Sequence, residues 1–164
     1  MPPDAEAPAT RMLIEKSTRR LRMWAAGTER VYAVALGRNA AQDKAIEGDC
    51  ATPLGDFYVC AKNPRSRFFL SLCLSYPNVE DAGRGLSAGL IDHDEHAAIL
   101  AAIRAGTMPP QHTRLGGEIY IHGQDATAAL PARDWTRGCI AVDNAAMREI
   151  YDLAVIGTPV RIVE

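Results

Sequence analysis

Along the first part of the chain apolar and polar residues alternate with a period of two. Residues 12–16, 20–24 and 30–36 read as three strands of a β-meander, broken at Ser17-Thr18 and at Ala26-Gly27-Thr28. In the second of them Leu21 and Met23 alternate with arginines, the pattern of an antiparallel strand with one buried face. The pattern then stops. From 37 to 55 Gly, Asp and Pro fall at loop-forming intervals, and Thr52-Pro53-Leu54-Gly55 reads as a structural turn into the next strand. Strands resume at 56–61 and 68–75.

Residues 76–117 form a long insertion. Its polar start, 76–89, is loop-like, and 94–105 predicts a helix with His96, Ile99, Leu100 and Ile103 on one face and Gly106 at its end. Pro109-Pro110 then forces extended chain. An ordered connection of this length is usually a lid or a substrate wall. Short strands follow at 118–123 and 139–142. Asp143 or Asn144 caps a helix presenting Met147, Ile150, Tyr151 and Ala154, which stops near Gly157, and 160–163 closes as a strand. The expectation is a flexible Pro/Ala-rich leader over 1–10 and one mostly-β domain over 11–164 with two helices, one in the insertion and one near the C-terminus.

Composition removes several function classes. An apolar fraction of 48% and a charged fraction of 23% are those of an ordinary soluble domain. A net charge of −2 argues against nucleic acid as a partner, and most of Arg11, Lys16, Arg19, Arg20, Arg22, Arg30 and Arg38 read as the solvated face of strands, a nucleic-acid patch being the minor alternative. No run approaches the roughly twenty apolar residues of a transmembrane segment. The start of the chain lacks the basic and apolar regions of a secretory signal.

Cys50, Cys60, Cys73 and Cys139 are too scattered for a disulfide framework or a zinc site. Cys60 and Cys73 fall in predicted strands, where an inert thiol is the default. With Cys139 reserved for chemistry, at most one pair can form among the other three. Asp92-His93-Asp94-Glu95-His96 lacks the HExxH spacing and reads as a solvated loop-to-helix boundary, so no metal is expected.

Ile121-His122-Gly123 is followed by Gly138-Cys139-Ile140 on a second short strand. Neighbouring strands would bring imidazole and thiol together, and a histidine can take the proton that a thiol must lose to become a nucleophile. Gly138 leaves the backbone open, so amides near 138 and 139 could face an oxyanion. A carbonyl at Gly123 could hold one histidine tautomer, and Arg137 could add positive potential. Taken alone, such a pair is more often a buried cysteine beside a satisfied strand histidine.

The ordered set changes that balance. Lys44, Gly48-Asp49, Thr52-Pro53-Leu54-Gly55, Ser75-Tyr76-Pro77-Asn78, Ile121-His122-Gly123, residues 134–142 and Gly157-Thr158-Pro159-Val160 resemble the YkuD-type (ErfK/YbiS/YcfS/YnhG) L,D-transpeptidase catalytic domain, nearest its YafK-like branch. The resemblance implies a β-sandwich-like catalytic fold and a Cys–His site with no metal or organic cofactor. It implies attack on the third residue of a peptidoglycan stem peptide, loss of the terminal D-Ala, and transfer of the acyl group to an amine or to water. Cys139 would be the nucleophile, His122 the base, the Gly123 carbonyl its orienter, and the Gly138 and Cys139 amides the oxyanion donors. Arg137, Thr136 and Trp135 would meet substrate, Trp135 being otherwise a core anchor. The setting would be the bacterial cell envelope, on the periplasmic side.

Many members read Ser-His-Gly-Cys-Ile-Arg, whereas this chain has Thr136-Arg137-Gly138-Cys139-Ile140-Ala141. Two further readings therefore stand beside transpeptidation. One is a hydrolase that releases peptidoglycan-linked lipoprotein or trims stem peptides, and the other a non-catalytic peptidoglycan-binding domain.

Overall fold

The computed structural model describes residues 10–125 and 130–164. The predicted leader, 1–10, lies outside them except for its last residue. In chain order the elements are β1 Arg11–Glu15, β2 Arg20–Ala25, β3 Thr28–Ala33, β4 Gly55–Ser66, β5 Phe69–Leu74, α1 Val79–Ser87, α2 His93–Ala105, β6 Tyr120–His122, β7 Ile140–Ala141, α3 Asn144–Leu153 and β8 Pro159–Val163. The strands make one sheet in the order β3-β2-β1-β8-β4-β5-β6-β7. β8, the last of the described strands in chain order, enters the middle, parallel to β1 and antiparallel to β4. The sheet curls until its two edges approach. The chain just beyond β3 reaches β7 through reciprocal hydrogen bonds of 2.9 Å between Ala35 and Ala141.

The core lies inside this curl. Met12 and Ile14 of β1 and Leu21 and Met23 of β2 face inward with Leu72, Leu74, Ile121 and Ile140, and α3 contributes Met147 and Ile150. Each such side chain contributes about 1.5–3 kcal/mol by leaving water. Asp143 caps α3 by accepting from the Ala146 N–H, and Lys62 reaches across from β4 to donate to the Tyr151 and Ala154 carbonyls at 2.7 Å each. A cation at that end also complements the helix dipole.

Three expectations need correction. The described residues contain three helices, not two, because 79–87 is helical rather than loop. Gly83 and Gly85 lower the helical propensity there, but Asn78 and Asp81 form a complete capping box. Gly85 also lets Leu115 approach so closely that a Cβ would lie 2.6 Å from its Cδ2. With α2, the insertion builds a second small core from Ala82, Ile91, Ile99 and Leu115. The second correction is Lys16, which is only 1% exposed rather than solvated. Its ammonium donates to the Gln42 and Thr52 carbonyls and ties the end of β1 to the 37–55 loop. Thirdly, β7 is shorter than predicted, so Cys139 stands in the turn just before it.

Candidate active site

The parallel pairing of β6 with β7 sets Ile121 beside Ile140 and His122 beside Ala141. One step back along both strands, Tyr120 meets Cys139, donating its N–H to the sulfur at 3.4 Å. Side chains two residues apart share a face, so Tyr120, His122 and Cys139 lie on one side of the sheet. His122 and Cys139 both line the same groove of about 780 Å³.

His122 is 3% exposed. Its Nδ1 lies 2.7 Å from the Gly123 carbonyl oxygen, which can only accept, so Nδ1 carries the proton and Nε2 is left bare. Phe68 stacks on the ring at 4.4 Å between centroids, and Trp135 meets it edge-on at 5.8 Å. Burial lowers the imidazole pKa below its ordinary value, and the Gly123 carbonyl offsets only part of this. The ring is therefore neutral at pH 7. Gly123 has to be glycine, since a Cβ there would run into Asn144 Oδ1 and lie 3.0 Å from the Phe68 carbonyl oxygen.

Cys139 is half-buried, and its sulfur donates to the Glu118 carbonyl at 3.3 Å. Loss of hydration pushes the thiol up to about 11. The Tyr120 N–H and the charge of Lys44 work against that, whereas Glu118 adds to it. Among the described residues the sulfur has no hydrogen bond to His122. The resting pair is a neutral thiol and a neutral imidazole in one groove, not an ion pair.

The turn holding Cys139 is fastened at several points. Thr136 Oγ1 donates to the Cys139 carbonyl at 2.7 Å and accepts from the Gly138 N–H at 3.1 Å, while Thr52 Oγ1 donates to the Gly138 carbonyl at 2.9 Å. This bears on two of the residues singled out from sequence. The Thr136 hydroxyl is buried and braces the turn from within, while the residue also lines the groove. The Gly138 N–H is likewise committed, which leaves the Cys139 N–H as the turn's candidate oxyanion donor.

Gly138 has φ +135°, and a Cβ on it would lie 2.7 Å from the Ala51 carbonyl oxygen. Gly138→Ala is accordingly expected to cost about 1–3 kcal/mol of stability. It should also slow alkylation of Cys139 by displacing the turn; urea unfolding and thiol labelling check the two effects.

Arg38, Arg67 and Arg137 are exposed on the rim of the groove, and none forms an ion pair among the described residues. Trp135 is half-buried against Phe68 and His122, so it both anchors the wall and faces the groove. A further wall comes from the end of the insertion, where Gln111 braces the chain by donating to the Tyr76 and Pro109 carbonyls and accepting from the Glu118 N–H. The 44–51 loop is organised by Asp49. Its carboxylate accepts from the N–H groups of Ala45, Ile46 and Ala51 and from Lys44 Nζ. Burial opposes ionisation of Asp49, but these donors hold its pKa below the ordinary value.

Sequence reasoning missed Phe68, Tyr120 and Glu118. The last two act through backbone atoms, which carry no residue signature, and Phe68 reaches His122 only through the β5–β6 pairing of Ser71 with His122. Ala141, two positions after Cys139, is fully buried between the Ala35 backbone and His122.

The chain matches the YkuD L,D-transpeptidase catalytic domain over residues 9–162 and belongs to that family. No curated protein is similar enough to be matched.

Among solved structures it resembles the helical cell shape determining protein Pgp2 from Campylobacter jejuni, with TM-score 0.63, 23% identity, and coverage of 95% of this chain and 48% of that one. Bd1075 from Bdellovibrio bacteriovorus gives 0.59 and 17% over 94% and 48%. L,D-transpeptidase 3 from Mycobacterium tuberculosis gives 0.57 and 16% over 96% and 62%. At these identities the likeness is one of fold. The chain spans about half the length of the first two and under two thirds of the third.

Proposed function

We propose that this chain is a cysteine acyltransferase of the L,D-transpeptidase type, acting on peptidoglycan stem peptides in the bacterial cell envelope, on its periplasmic side. The observation that carries the reading is the placing of the Cys139 sulfur and the bare Nε2 side of His122 on one face, in one groove, within a chain of this family. His122 Nε2 takes the thiol proton as the sulfur attacks the carbonyl carbon of the donor's third residue. The carbonyl π electrons move to oxygen, where the Cys139 N–H meets the developing charge. Collapse of the intermediate breaks the C–N bond, and the imidazolium returns its proton to the departing D-Ala amine.

The resulting thioester passes to an amine, forming a new amide, or to water. Arg137, with Arg38 and Arg67, offers guanidinium groups to the carboxylates of the donor. Trp135 forms the apolar wall beside the scissile bond. Neither metal nor organic cofactor enters any step.

The test is incubation with a disaccharide-tetrapeptide muropeptide, read by intact mass and product analysis. An adduct equal to the donor minus D-Ala, followed by cross-linked dimer, supports transfer. The same adduct followed by tripeptide alone identifies hydrolysis. Imipenem, which is bound in the solved structure of the L,D-transpeptidase LdtMt1, offers a second acylating probe. No adduct with either compound would overturn the enzymatic reading.

A peptidoglycan-binding domain is the competing reading. The observation favouring it is the neutral thiol, pushed up to about 11 with no hydrogen bond to His122. Muropeptide binding that is unchanged in Cys139→Ala, with no acyl-enzyme in wild type, would decide for it.

A further inference from the structure

A pair of cysteine sulfur atoms, those of Cys60 and Cys73, lies outside the groove. β4 and β5 run antiparallel, with Val59 opposite Leu74 and then Ala61 opposite Cys73, so a β-bulge falls at Cys60. At a bulge two residues of one strand oppose a single residue of the other. Cys60 is thereby turned toward Cys73 rather than to the opposite face, as strict alternation from Ala61 would require. Val59 and Leu74 remain in the core.

The contact is direct. Cys60 Sγ donates to the Cys73 carbonyl at 3.5 Å, and each thiol is the principal electrostatic partner of the other. Facing residues of antiparallel strands have Cα atoms about 4.5–5.5 Å apart, inside the range of about 4.4–6.8 Å that a disulfide spans. The register partner of Cys73 is Ala61, and the bulge sets the neighbouring Cys60 thiol beside that pair, against Cys73.

We propose that Cys60 and Cys73 are a redox-responsive dithiol that closes a cross-strand disulfide between β4 and β5 on meeting a low-molecular-weight disulfide such as oxidised glutathione. Cys60 is the entry point because it is half-buried, whereas Cys73 is 3% exposed. The Cys73 side chain beside it also holds the Cys60 pKa below its ordinary value, so Cys60 is the easier thiolate to form.

In the first step the Cys60 thiolate attacks one sulfur of the oxidant. A mixed disulfide forms and one glutathione thiolate leaves. In the second, Cys73 loses its proton and attacks the Cys60 sulfur, expelling the second glutathione thiolate. Two protein thiols and one external disulfide become one protein disulfide and two external thiols, so electrons and protons balance. Neither cysteine lines the groove, and the bond forms whether or not Cys139 is a nucleophile.

The full chain, reduced and then incubated with oxidised glutathione under native conditions, tests this by intact mass and non-reducing tryptic mapping. Trypsin cuts at Lys62, Arg65 and Arg67, between the two cysteines, so a bridge joins two distinct peptides; Cys50 shares the 45–62 peptide with Cys60, so fragmentation of the linked pair identifies which of the two is joined to Cys73. The expected result is a linked Cys60–Cys73 pair, a mass lower by two hydrogens at these positions, and full reversal by dithiothreitol. Closing a loop of this size should raise Tm by roughly 5–10 °C. Cys60→Ser, a small change at a half-buried site, should show neither the linkage nor the shift. Glutathione held on Cys60 without closure, linkage of Cys73 to Cys50 or Cys139, no oxidation at either site, or linkage without a rise in Tm would each overturn the proposal.

Discussion

Cys139→Ala is expected to lower turnover of a tetrapeptide donor by about 10⁴-fold or more, to the limit of detection, and to abolish the acyl adduct. Stability should change by less than about 1.5 kcal/mol, because the sulfur is half-buried and its contacts are two long hydrogen bonds to backbone. Water has no route of comparable efficiency, since Nε2 of His122 would then have to activate it without a covalent intermediate.

The wild-type thiol carries a second signature. With the thiol pushed up to about 11, only about 10⁻⁴ of it is thiolate at pH 7, and alkylation by iodoacetamide should rise about tenfold per pH unit from pH 6 to 10. A resting thiolate–imidazolium pair would instead show a plateau reaching down to acidic pH. The rate-versus-pH profile of Cys139 labelling, read by peptide mass, separates the two. A plateau would sink the neutral-pair description.

His122→Ala should cut kcat/KM by about 10²–10⁴-fold while leaving slow acylation by reactive donors. Its wild-type pH profile follows from the direction of the histidine shift. The base works only when neutral, and burial lowers its pKa. Activity should therefore persist below pH 6.5, and the acid limb should lie under the ordinary histidine value. In the alanine variant that limb disappears.

The same substitution removes the ring that Phe68 covers at 4.4 Å, leaving a cavity that costs about 2–4 kcal/mol. His122→Phe is the control for this loss, because it keeps an aromatic ring on Phe68 but has no base. Equal losses of activity in the two variants, with better stability in the phenylalanine one, would confirm that catalysis and packing are separable at this position. Full activity in either variant would remove His122 from the mechanism.

How much of this was legible can be judged residue by residue. The alternation of Leu21 and Met23 with arginine marked β2 and its buried face, and both residues are fully buried. Helix α2 was read almost to its ends from its apolar face and from Gly106, which takes the left-handed conformation at the C-cap. Helix α1 was missed because two glycines outweighed a capping pair that was present in the letters Asn78 and Asp81. Lys16 looked solvated because a lone lysine at a strand end ordinarily is. Only the fold brings the Gln42 and Thr52 carbonyls to its ammonium.

Periodicity, caps and turns act between residues a few positions apart, so most strands, two of the three helices among the described residues and the order of the His122-Gly123 and Gly138-Cys139 segments could be read directly from the chain. The protonation state of Cys139, the stacking of Phe68 on His122, the internal use of the Thr136 hydroxyl and the meeting of Cys60 with Cys73 could not. Each depends on which distant segments exclude water from a group and which backbone atoms then face it, and strand pairing and the bulge settle that only once the sheet has curled.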